Sequence, residues 1–202
     1  MSDTNEIVTP SPNFDSFKDI IVKWVHILFL CQIANLFTNV LGAITAIGSI
    51  AGWLSRIVTV VIIIALFNLA VVNERYRKAA LFYGISVGGG ILSALLNKNM
   101  FGVVFSICSI VASYHELNAH SEITASKNAK LSKRWHFLFF YQMVVGLISG
   151  FISSAGVVIA VLAEMNPDAI VSFALIVTAL VGVILGLFHV MYLKQTLRLY
   201  NE

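Results

Sequence analysis

Charge is what this chain of 202 residues has least of. Asp, Glu, Lys and Arg make up 11% of it, against ~25% in a soluble globular domain. With 58% hydrophobic residues and a mean hydropathy of +0.88, that scarcity excludes a soluble protein and points to an integral membrane protein. A cleavable leader is not expected either. The N-terminal stretch MSDTNEIVTPSPNFDSFKD carries acids and two prolines where a signal peptide has a basic region, so the first apolar run is expected to be retained. Cysteine is nearly absent: Cys31 and Cys108 each lie in an apolar run where a small hydrophobe would serve as well, and no disulfide is expected. No Asn-x-Ser/Thr sequon occurs.

Catalytic signatures are missing as a group. There is no GxSxG, no P-loop, no CxxC and no membrane-embedded carboxylate pair. Gly88-Gly89-Gly90 sits in mid-run with no basic Ser/Thr signature after it, so it is no phosphate cradle. No catalytic residue and no cofactor is expected, and the chain reads as a non-enzyme. The apolar runs also lack a deep acid, which lowers the case for a proton- or sodium-driven transporter. The net charge of +3 is too small to argue for nucleic acid.

What the chain does have is apolar runs long enough to cross ~30 Å of hydrocarbon. Trimmed at charges and at Pro or Asn, they fall at 20–41, 53–72, 79–96, 100–114, 136–162 and 169–192. All six are expected to be helices, since lipid-facing amides must bond internally and no barrel-like alternation is seen. The fourth is short and the fifth long, so one reads as interfacial or tilted and the other as projecting from the bilayer. Eleven of the thirteen basic residues fall before or just inside the first run, between the second and third, between the fourth and fifth, or after the sixth. Only Arg56 and Lys98 fall elsewhere. By the positive-inside rule this predicts an all-α, polytopic protein of the cell membrane: six transmembrane helices in three cytoplasm-facing hairpins, both termini cytoplasmic.

The expected organisation is a partly disordered cytoplasmic segment 1–19, a transmembrane domain 20–192 with a cytoplasmic connection at 115–135, and a cytoplasmic tail 193–202. The uncharged stretch Gly42 to Trp53 reads as a glycine-broken interfacial loop, with Arg56 snorkelling beside Trp53, or as a dip back into the bilayer. KWVHILFLCQ at 23–32 resembles RWHFLFFYQ at 134–142, which suggests that hairpins one and three repeat about an axis along the membrane normal.

Polar side chains at membrane depth are the functional pointers, because each is costly unless paired or facing water. Gln32, Asn35 and Asn39 share a face of the first helix, and Asn68 and Gln142 are the other amides in apolar surroundings. They read as interhelical glue or as the lining of a site for a polar, uncharged substrate. The segment YHELNAHSE has HExxxH spacing, which puts His115 and His120 on different faces of a helix. Glu116 and His120, four apart, are candidate metal ligands of a site completed elsewhere. Small-residue faces, including Gly84/Gly88, Gly146/Gly150 and the stripe Thr178, Gly182, Gly186, His189, suggest close helix packing, with a homo-oligomer or a membrane-protein partner as alternatives.

Six helices and an amide-bearing interior favour small-solute transport or binding within the bundle. The alternative is a non-catalytic accessory, scaffold or protective membrane protein acting through helix packing with a partner. In size and helix count the layout resembles the substrate-binding subunits of energy-coupling-factor vitamin transporters. That resemblance is one of layout alone; it matches no family motif residue by residue and transfers no site.

Overall fold

The computed structural model describes residues 14–42, 48–96, 100–162 and 167–202. It is all-α, with six helices: α1 (Phe14–Gly42), α2 (Gly48–Leu69), α3 (Glu74–Leu96), α4 (Met100–Ala125), α5 (Ala129–Leu162) and α6 (Pro167–Asn201). Each helix packs on its neighbours in sequence, and α6 returns to pack on α1, so the six close into a ring. Local chemistry sets two of the joints. Asn73 accepts from the Arg75 N–H at 2.9 Å and caps α3, and Asn128 accepts from the Leu131 N–H at 2.9 Å and caps α5. Pro167 opens α6, where its missing N–H costs nothing.

Among the described residues, three helices are long and apolar enough to cross a membrane: α1 (Ser16–Leu41), α2 (Ile50–Leu69) and α6 (Ala179–Asn201). Their outer faces carry Leu30, Phe37, Ile57, Ile64, Leu180 and Leu187, all exposed to the surroundings as a bilayer-facing surface requires. The expected six spans in three hairpins are therefore corrected. Helices α3, α4 and α5 pack more as a soluble helical domain does. Glu122 of α4 accepts from Arg75 Nε at 2.7 Å and from Asn73 Nδ2 at 2.8 Å, and the interior holds an aromatic cluster and a buried Glu/His/His group. The physical reason is composition: α3 opens ERYRK, α4 closes YHELNAHSEITA and α5 opens AKLSKRWH, so polar residues lie inside these helices rather than between them. The expected connection at 115–135 is helix on both sides of residues 126–128.

Localisation changes with the span count. Three crossings are an odd number, which would leave the chain's ends on opposite sides of a bilayer, so the assignment of both ends to the cytoplasm falls. The proposed repeat of hairpins one and three falls too. Trp135 is fully buried and bonded to Thr196, whereas its counterpart Trp24 is part-exposed beneath the Lys23 ammonium, and α2 and α6 differ by 22 residues to 35. Of the stretch 42–53, residues 43–47 lie outside those described; Trp53 and Arg56 fall in the first turns of α2, the guanidinium 4.8 Å from the ring centroid.

The small residues do not all serve packing. A side chain at Gly84, Gly88, Gly146 or Gly182 would meet open space, but at Gly186 it would run into Leu36 of α1. Gly186 is thus where α6 approaches α1 most closely among the described glycines. Gly186→Val is expected to lower stability by about 1–3 kcal/mol through overpacking, while Gly182→Ala raises it by up to about 1 kcal/mol through helix propensity. Thermal denaturation of the two variants side by side checks the contrast.

Candidate functional site

Inside the ring, α4 and α6 bring three ionisable side chains together. Glu116 and His120 lie one turn apart on one face of α4, and His189 faces them from α6; a ligand atom from each falls within 4.8 Å of the others. All three are buried, and Glu116 Oε1, His120 Nε2 and His189 Nε2 have no hydrogen-bond partner. Glu116 Oε1 stands 3.8 Å from His189 Nε2, too long for a hydrogen bond. Such unsatisfied groups are costly in a folded interior.

The opposite atoms of the group are held firmly. Tyr83 of α3 donates its hydroxyl to Glu116 Oε2 at 2.8 Å and also bonds Ser113 at 3.0 Å. Tyr76 bonds His120 Nδ1 at 2.9 Å. Trp135 of α5 stacks on the His120 ring at 4.5 Å and meets the His189 ring edge-on at 5.3 Å, its own N–H donating to Thr196 at 3.2 Å. Both rings and the carboxylate are oriented, with one ligand atom of each left over.

Burial explains the electrostatics. It pushes the Glu116 carboxyl up to about 7, against a partly opposing hydrogen bond from Tyr83. Burial, reinforced by neighbouring His189, pushes His120 well below the ordinary histidine value, in the direction of the neutral imidazole. Desolvation, then the nearby Glu116, raises the Tyr83 hydroxyl well above its usual range, which keeps it a donor.

A cavity of about 200 Å³ adjoins this group. All six helices line it: Gln32 and Asn35 from α1, Thr59 from α2, Tyr83 from α3, Ser113 and Glu116 from α4, Gln142 from α5 and His189 from α6. Three of the five amides singled out in the sequence thus converge. None of the Gln32, Asn35 and Gln142 amides is bonded across to another helix among the described residues. Asn39 is exposed and absent from the cavity, and Asn68 is exposed and donates to the Ile64 carbonyl of its own helix at 2.8 Å.

The metal candidates Glu116 and His120 do lie together, and α6 supplies a third side chain. His115 lies apart, stacked on Phe82 at 6.0 Å. Sequence reasoning missed His189 as their partner, although it had placed that residue on the small-residue stripe of α6. It also missed Tyr83 and Tyr76, for which an isolated hydroxyl in a mostly apolar helix was the available signal.

Fold and site together define a class: an all-α, membrane-associated helix bundle with a polar interior that leaves ligand atoms free. Compared with protein-family descriptions, curated proteins and solved structures, the chain matches none.

Proposed function

We propose that the protein binds a small, uncharged polar solute in the cavity at the centre of the ring, as a solute-binding or transport protein of the membrane. The observation that carries this reading is the convergence of Gln32, Asn35 and Gln142, from two helices, on one cavity with their amides unspent. An amide offers two donors and an acceptor, so three of them can satisfy hydroxyl, carbonyl or amide groups without a net charge. The volume of about 200 Å³ equals ~7 waters at ~30 Å³ each, which limits the occupant to roughly the size of a monosaccharide. The role assigned is binding, not catalysis.

Purified protein in detergent, screened by thermal shift against glycerol, urea, hexoses, nucleosides and simple amides, tests the reading, because a ligand specific to the native state stabilises by mass action. A hit is expected, and Asn35→Ala or Gln142→Ala should each abolish most of its shift while Asn68→Ala leaves it intact. A shift that survives in both cavity variants would place the ligand elsewhere and remove the reading.

A further inference from the structure

We propose that Glu116, His120 and His189 form a binding site for one divalent transition-metal ion of the zinc class, with a fourth coordination position facing the cavity. This goes beyond solute binding and does not depend on it. The donor set is two imidazoles and one carboxylate, the composition of open zinc sites in which water or substrate supplies the fourth ligand. Imidazole nitrogen selects zinc, copper, nickel, cobalt or iron over magnesium and calcium, which prefer oxygen throughout.

Geometry supports the assignment more strongly than composition. Two donors sharing an ion at ~2.0–2.1 Å in a tetrahedron stand ~3.3 Å apart. Glu116 Oε1 and His189 Nε2 are 3.8 Å apart, and one ligand atom from each of the three residues lies within 4.8 Å of the others, close to what one ion requires. The three atoms that would ligate are among the four buried side-chain atoms left without hydrogen bonds in the described residues, the fourth being His115 Nδ1. Two of the three ligands have the outer partners that fix ligands in metal sites, the Tyr76 hydroxyl on His120 Nδ1 and the Tyr83 hydroxyl on Glu116 Oε2, while His189 is held by its ring contact with Trp135. The His120 tautomer that donates from Nδ1–H to the Tyr76 oxygen is the one whose lone pair, on Nε2, is open to an ion. Trp135 packs against both imidazoles and limits their rotation. Glu116 and His189 also line the cavity, which is the side where a fourth ligand of the ion would sit.

Full-length protein in mild detergent, stripped with chelator and titrated with Co²⁺, provides the test. The expected result is one equivalent bound with the ligand-field bands of a four-coordinate site, bleached by Zn²⁺. Tyr76→Phe should weaken binding ~10–100-fold, His189→Ala more than that, and His26→Ala, at an exposed position on α1, not at all. Should His189→Ala fail to fold, X-ray absorption of the zinc-loaded wild type decides: a nitrogen/oxygen shell at ~2.0–2.2 Å with imidazole scattering supports the site, and a hydrated ion overturns it. Absence of stoichiometric Co²⁺ binding, or equal affinity in wild type and His189→Ala, also overturns it. A solute-induced thermal shift in the stripped protein would leave the cavity reading standing when the metal fails, and Co²⁺ bands without any solute hit would do the reverse.

Discussion

Trp135→Ala is expected to lower the free energy of unfolding by about 3–5 kcal/mol, the range for removing a fully buried large aromatic. Trp135 has no exposed surface, stacks on His120, meets His189 and Tyr192 edge-on and donates its indole N–H to Thr196. Its removal opens a hole where α4, α5 and α6 meet and leaves the Thr196 hydroxyl bonded only to the Tyr192 carbonyl of its own helix, at 2.9 Å. Trp135→Phe should recover part of the loss by filling space without the hydrogen bond. Chemical or thermal unfolding in detergent, with Trp53→Ala as an exposed control, measures the difference; the control should change stability by no more than about 0.5 kcal/mol. Equal losses at Trp53 and Trp135 would mean that α5 does not pack as described.

Tyr83→Phe is expected to cost about 1.5–3 kcal/mol, the range for a hydrogen bond to a charged or chargeable partner. The hydroxyl is the donor that Glu116 Oε2 receives at 2.8 Å, and without it both carboxyl oxygens are left unsatisfied inside the bundle. The size of the effect depends on Glu116, which supplies a specific check. In a double-mutant cycle with Glu116→Leu the loss should shrink to that of the weaker Tyr83–Ser113 bond, because the acceptor is gone. Additive losses would show that Tyr83 acts through packing and not through the carboxyl group.

Helical character was legible from apolar runs without strand alternation, and the amide face of α1 from its spacing: Gln32 and Asn35 do point to one cavity. The face runs out at Asn39, which lies past the cavity on an exposed turn. The span count was not legible, because a basic cluster such as Lys127 to Arg134 looks the same in a sequence whether it marks a loop or the first turns of a helix. Here α4 and α5 run through that region, separated only by residues 126–128. The Glu116/His120 pair was visible because its partners sit one turn apart, a local relation. His189 was not, because its relation to them depends on α6 packing across the ring from α4, a long-range contact that periodicity within one helix does not encode.

The central claim is that the interior group of Glu116, His120 and His189, with its adjoining cavity, is a site that takes an occupant and not a set of core contacts. It is tested most directly by an experimental structure of the protein purified without chelator, with anomalous scattering collected at the zinc edge. The account predicts an anomalous peak within coordinating distance of Glu116 Oε1, His120 Nε2 and His189 Nε2, with density for water or solute reaching it from the side of Gln32, Asn35 and Gln142. A closed, dry interior in which those three atoms bond one another and no peak appears would contradict it.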